Sequence, residues 1–264
     1  MRKLIASVRS EHPGMGLRTI YENHKPAGVG RDAFLRFGAS EGLLGKMTRK
    51  PNHRGSNKSD SKFDNLLCDK NLTDINQVWT SDTTYYRMGG KFYYITFVID
   101  LYSRKIIGHH VSTSLEASET LAALDVALSM SRLKNGSNGL IHHSDRGSQY
   151  RSELYTSRLK SLDIAISMCH CVYENAHVER VNNTIKNQYL KYKNPTTYEE
   201  LVKVMKKIVK SYNETRPHRA LNKLSPTAYE TSLLSVPMSE RIQMPLYMGL
   251  KTQRIEEQKK TNER

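Results

Sequence analysis

Asp82, Asp145 and Glu179 are carboxylates whose positions could let them hold a metal ion, although Asp145 alone could equally be a turn aspartate. Asp82 stands inside "QVWTSDTTYY", a run of β-branched and aromatic residues in which aspartate is disfavoured. Strand alternation puts it on one face with Val78, Thr80, Thr84 and Tyr86. Asp145 closes the short apolar run "GLIHHSD", with Gly147 just beyond to let the chain turn. Glu179 lies in "NAHVERVNNTIKNQYL". At 100° per residue, Val178, Val181, Ile185 and Tyr189 form the buried stripe of that helix. Asn175, Glu179, Asn182, Asn183 and Lys186 form a polar stripe beside it. Lys186 is seven residues beyond Glu179, so the two lie nearly in line.

Two strand aspartates and one helix glutamate can converge. Three carboxylates offer hard oxygen ligands, which suit Mg²⁺ or Mn²⁺ rather than Zn²⁺. Two such ions, about 3.5–4 Å apart, clamp the attacking and leaving oxygens of an in-line phosphoryl transfer. The rest of the chain is basic: 41 Lys and Arg against 26 Asp and Glu, a formal charge of +15. That balance points to a polyanionic partner, nucleic acid before an anionic membrane surface. Carboxylates would hold the metals while Lys and Arg hold phosphates. Arg146, Asn183 and Lys186 are candidate phosphate contacts near the carboxylates, and Arg31 and Arg36 are candidates in the N-terminal helices. Arg216 and His218 either touch phosphate or merely follow a helix end.

Other polar residues have plainer readings. Asp100, in "VIDLYSR", fits a turn better than a fourth ligand. Adjacent His142 and His143 alternate faces and orient or pack. "CHC" at 169–171 lacks a second pair at zinc-ligand spacing. Trp79 belongs to the core. Cys68, Cys169 and Cys171 are too few for a disulfide framework, which fits a reducing compartment.

The elements that must position the carboxylates follow from pattern. Residues 1–47 read as short helices in a helix-turn-helix-like unit or a helical cap, and residues 48–64 as a basic, polar linker. Residues 1–58 hold twelve Lys and Arg against four Asp and Glu, +8 of the +15. From Gln77 three strands meander, with a turn at Gly89–Gly90. Helices then alternate with strands, the order of a mixed sheet with helices on its faces. "TYEE" at 197–200 is a capping box opening a helix with an apolar stripe (Tyr198, Leu201, Val202, Met205, Ile208, Val209, Tyr212) and a lysine face that is solvated. The catalytic core spans 65–232, and 233–264 is an extension ending in a mobile tail. No run of eighteen apolar residues suggests a membrane span, and the N-terminus lacks a signal peptide's apolar stretch.

The stretches "VWTSDTTY", "FVIDLYSRKIIG", "HHSDRGSQYRS", "ENAHVERVNNTIK" and "YNETRPHRAL…SP" occur in that order. Together they resemble the integrase-like core of bacterial insertion-sequence transposases, most closely the second-frame (OrfB) product of elements with two overlapping frames. The resemblance covers about residues 65–230, and more loosely 1–47. It implies an α/β, RNase H-like mixed sheet flanked by helices and preceded by a small helix-turn-helix-like domain. It implies a D,D,E triad on Asp82, Asp145 and Glu179, two Mg²⁺ ions that Mn²⁺ can replace, and DNA cleavage with strand transfer. The implied partners are element-end and target DNA, further copies of the chain on DNA, and an upstream first-frame helix-turn-helix protein, as a separate chain or a frameshift fusion. The implied location is the bacterial cytoplasm, on the nucleoid when DNA is bound. Thirty-three residues separate Asp145 from Glu179, slightly fewer than is usual in the family, so a tighter loop is expected ahead of the glutamate helix. Asn183 and Gln188 replace a lysine and a glutamate common in the family. The competing functions are a nuclease of the same fold that cuts without joining, and a DNA-binding repressor or decayed transposase.

Overall fold

The computed structural model describes residues 1–45, 63–131, 139–169 and 175–246. Most of the expected linker, Cys171, the loop immediately ahead of the glutamate helix and the tail from 247 lie outside the described residues. The chain divides into two compact units, and neither is continuous in sequence. One is built from Ser59–Thr84, Tyr94–Glu179 and Glu230–Arg264, the other from Met1–Lys58, Tyr85–Tyr93 and Arg180–Tyr229.

The first of these units carries most of a five-stranded sheet. Its strands follow the short β1 (Asn71–Leu72): β2 (Val78–Met88), β3 (Lys91–Asp100), β4 (Ile106–Ser112), β5 (Ile141–Ser144) and β6 (Ala165–Met168), in the order β4-β3-β2-β5-β6. β3 and β4 are antiparallel, whereas β5 runs parallel to both β2 and β6. Gly89 and Gly90 join β2 to β3 at φ +56° and +79°, the left-handed pair that a two-residue hairpin turn needs. The parallel strands are linked by helices, as they must be: α4 (Ala117–Met130) leads to β5, and α5 (Ser148–Arg151) with α6 (Glu153–Ser161) leads to β6. Trp79, Val98, Ala123, Leu124, Leu140, Tyr155, Leu159 and Met168 pack into one buried core. Each large apolar side chain there contributes about 1.5–3 kcal/mol by leaving water.

The run "YRSELYTSRLKSL" has the pattern of a single helix, yet the chain breaks it at Ser152. Ser152 has extended backbone, and its hydroxyl accepts the Tyr155 N–H. A serine that caps a new helix outcompetes continuation of the old one. The residues after 232 also differ from expectation. α10 (Pro226–Leu233) is followed by β7 (Met244–Pro245), which pairs antiparallel with β1. Arg241 forms an ion pair with Asp74 and donates to the Leu233 carbonyl, and the Tyr102 hydroxyl donates to the Ile242 carbonyl. A two-residue strand has no periodicity to read, so this pairing left no mark in the pattern.

In the other unit, α1 (Arg2–Glu11), α2 (Leu17–His24) and α3 (Arg31–Ser40) bury Ile5, Met15, Leu17, Ile20 and Phe34. α7 (Ala176–Ile185) passes into a π-helical stretch, Lys186–Leu190, then α8 (Lys191–Lys193) and α9 (Tyr198–Glu214). Thr197 caps α9 through its hydroxyl, as the capping box requires. Glu200 instead accepts from the N–H and hydroxyl of Thr196. Lys203, Lys206, Lys207 and Lys210 are exposed.

The N-terminal helices of this unit grip the π-helical stretch. Gly14 donates its N–H to the Gln188 carbonyl at 2.8 Å, and a Cβ at Gly14 would stand 2.5 Å from Gln188 Cα. His12 Nδ1 meets the buried Tyr189 hydroxyl at 2.7 Å. π-helical turns are rare, and this one is contacted by His12 and Gly14 from the connection between α1 and α2.

Candidate active site

The register of the parallel strands brings the two aspartates together. β2 and β5 pair Val78 with Ile141, Trp79 with His142, Thr80 with His143 and Ser81 with Ser144. Asp82 and Asp145 are the next residues on each chain. Neighbouring strands lie about 4.8 Å apart, so Asp82, within β2, and Asp145, just past β5, are adjacent residues where β5 ends. Both are only partly buried. Gly147 donates its N–H to Asp145 Oδ1 at 2.9 Å, yet burial still pushes the Asp145 carboxyl above its ordinary range.

Glu179 lies in the first turn of α7 and is partly buried. Asn175, just ahead of that helix, donates from Nδ2 to the Ser81 carbonyl at 3.4 Å. The start of α7 is thereby tied to the residue before Asp82. Asn175 Oδ1 is buried with no hydrogen-bond partner. Among the described residues, no three His, Cys, Asp or Glu side chains are gathered closely enough to hold a metal ion. The strand register makes Asp82 and Asp145 neighbours, and Asn175 ties the start of the Glu179 helix to the residue before Asp82.

Tyr150 is a neighbour that sequence pattern missed. Its hydroxyl lies 3.0 Å from Ser81 Oγ and 3.4 Å from Thr83 Oγ1, on either side of Asp82. Burial, then the charges of Tyr155, Asp82 and Asp145, hold its phenol well above the usual range. It therefore stays protonated beside the carboxylate pair. Its position within "HHSDRGSQYRS" was the available signal.

The other candidates sort by environment. Arg146 is partly buried next to Asp145, Asn183 is exposed, and Lys186 opens the π-helical stretch, so the α-helical alignment with Glu179 ends there. Asn175 and Asn182 are buried rather than part of an open polar stripe. Arg216 donates to Gln188 Oε1 at 2.7 Å and lies over the Tyr189 ring, while the His218 ring packs edge-on against Tyr212. Both side chains thus pack against other residues of the unit. Arg31 pairs with Asp32, and Arg36 is exposed.

Asp100 is the turn residue expected of it, since its two oxygens accept the N–H groups of Ser103 and Asn76, both at 2.7 Å. His142 and His143 bond to Tyr155 and Ser167 inside the core.

Integrase core domain models match residues 73–172 and 160–226. The protein named Insertion element IS600 uncharacterized 31 kDa protein, from Shigella sonnei, is 32% identical over 212 residues, covering 76% of this chain and 75% of that protein. The Transposase for insertion sequence element IS629, also of Shigella sonnei, is 33% identical over 192 residues, 70% of this chain. The chain belongs to the insertion-sequence transposase family with an integrase core. The match spans 64% of the IS629 transposase, slightly under two thirds of its length. Among solved structures, a chain of a simian T-cell lymphotropic virus intasome in complex with PP2A regulatory subunit B56 gamma superposes with a TM-score of 0.52 at 17% identity, over 88% of this chain and 76% of that one. That likeness concerns the fold, an RNase H-like mixed sheet flanked by helices. Among the described residues of this transposase-family chain, no helix is long and apolar enough to cross a membrane.

Proposed function

We propose that this chain is a transposase that cleaves DNA at the ends of a mobile element and joins those ends to target DNA, with Asp82, Asp145 and Glu179 as its catalytic carboxylates. The observation that carries the reading is the parallel register that sets Asp82 beside Asp145. Two adjacent carboxylates repel each other and DNA unless a cation lies between them. The raised Asp145 carboxyl and the unpartnered Asn175 Oδ1 both fit a site built for a hard divalent ion. Asp82 and Asp145 would hold it, and Glu179 would complete the set from α7. When bound, Mg²⁺ or Mn²⁺ supplies positive charge to the oxygens that attack and leave in phosphoryl transfer.

The chain's own groups do the rest. Tyr150, kept protonated, donates a hydrogen bond without adding a third negative charge beside the pair. Asn175 fixes the start of the glutamate helix against the Ser81 carbonyl. Arg146, Lys186 and the basic N-terminal unit supply cations for the DNA backbone. The partners in this reading are element-end and target DNA, further copies of the chain, and the product of an upstream first frame.

The test is substitution of Asp82→Asn, Asp145→Asn and Glu179→Gln, each keeping shape and losing charge. Each should abolish cleavage and joining of a labelled element end while DNA binding persists. Substantial activity in any one removes that residue from the set. Cleavage without strand transfer by the unsubstituted chain would make it a nuclease instead.

A further inference from the structure

In the unit containing α1–α3, a cleft of about 150 Å³ opens between α2 and the loop that follows α9. α2 lines it with Arg18, Thr19, Glu22 and Asn23, and the loop contributes Arg219 and Lys223. The cleft has the volume of a few water molecules, enough for one phosphate group. Arg18 Nε lies 2.9 Å from Glu22 Oε1, and Lys223 Nζ donates to the Glu22 main-chain carbonyl at 3.0 Å. The Arg18 hydrogen bond, then the charges of Arg18, Arg219 and Lys223, hold the Glu22 carboxyl below its ordinary range. Three cations thus surround one carboxylate, which can neutralise only one of them.

The loop is preset. His218 N–H bonds to the Leu224 carbonyl, and the N–H groups of Leu221 and Lys223 bond back to the His218 carbonyl. Asn222 and Lys223 sit at φ +52° and +68°, a left-handed backbone that β-carbons disfavour. Within "ETRPHRALNK" the polar side chains divide. Arg216 and His218 turn inward to Gln188, Tyr189 and Tyr212, whereas Arg219 and Lys223 are exposed at the cleft.

We propose that this cleft is a phosphodiester site that takes one backbone phosphate of duplex DNA between α2 and Arg219–Lys223. The two uncompensated cations attract the anion, and the Thr19 hydroxyl and Asn23 amide offer neutral donors beside them. The choice of DNA as the carrier of the phosphate rests on the transposase reading above. The alternative is a solvated charged surface in which Glu22 merely pairs with Arg18, worth almost nothing.

The full chain is titrated with a labelled duplex of arbitrary sequence in EDTA across a salt series, so that the carboxylate site plays no part. Arg219→Gln with Lys223→Gln should weaken binding several-fold and lower the slope of log affinity against log salt by about one, the signature of one lost phosphate contact. Arg219→Lys with Lys223→Arg should keep the slope, which separates lost charge from misfolding. Glu22→Gln should move affinity the other way, tightening binding. An unchanged slope in the neutralised variant, or a Glu22→Gln chain that binds no more tightly, overturns the proposal. Inorganic phosphate provides the second arm: if it binds and is lost on neutralisation while the duplex slope stays constant, the site takes free phosphate and DNA is excluded. Failure here leaves cleavage by the carboxylates intact, and inactive carboxylates would leave these slopes unmoved.

Discussion

Two fully buried groups of the sheet unit respond to acid in opposite directions. Burial pushes the Asp100 carboxyl up to about 6, although Ser103 and Asn76 donate to it. The stability it contributes is full below its ordinary value of 3.8 and is lost as pH rises through 6, a change of about 3 kcal/mol. Burial drives His142 down to about 3. Its contribution is full above 6.5 and is lost as pH falls towards 3. The two slopes oppose each other between pH 4 and 6. Asp100→Asn should therefore make stability fall more steeply on acidification in that window, and His142→Gln should make it rise relative to the unsubstituted chain. Urea unfolding at pH 4, 5 and 6 reads both, and parallel curves for all three chains would disprove the assignment. Tyr150→Phe removes the hydroxyl between Ser81 and Thr83, and should lower stability by about 1 kcal/mol in a thermal melt. Asp82 stood out in the sequence because aspartate is out of place inside such a strand, and Asp145 because it closes a short apolar run. Tyr150 did not, because a buried tyrosine in a helix reads as core until its neighbours are known.

Among the elements, the decisive one is the π-helical stretch after α7. Helical periodicity foretold the burial of Val178, Val181, Ile185 and Tyr189 correctly, since one face must be apolar whatever the exact winding. It could not foretell the extra residue per turn, which depends on Gly14 and His12 packing from far away in sequence. Gly14→Ala should push the chain off Gln188 and cost about 1–3 kcal/mol by overpacking, measurable by thermal melting. Deletion of residues 1–47, which sequence pattern presents as removal of a separate binding segment, should also strip cover from Tyr189 and Gln188. Its expected result is weaker DNA binding together with easier unfolding of the 180–229 region, read by hydrogen exchange at those amides. Unaltered exchange there would show that the grip contributes nothing. The lysine face of α9 and its capping serve as a contrast: both are local, and both were readable from "TYEE" and its spacing.

For the whole molecule, the acidic pair amid a basic chain predicts a link between metal and stability. Mg²⁺ at about a hundred times its dissociation constant should add about 2.7 kcal/mol to unfolding, and Asp145→Asn should erase that gain in a thermal melt with and without EDTA. The interleaved division of the chain has a further consequence, for synthesis. The sheet unit is closed by β7 pairing with β1, whose partners are separated by most of the coding sequence. At ~5–20 residues per second, a ribosome needs roughly ten to thirty seconds to travel from Leu72 to Met244. Throughout that interval the nascent chain presents an unfinished sheet, and until residue 189 has been made its three N-terminal helices also lack Tyr189 and Gln188. A ribosome halted between Arg180 and Tyr229 should thus display a polypeptide that proteases cut readily in both units, and chaperone occupancy should drop only after Pro245 has emerged.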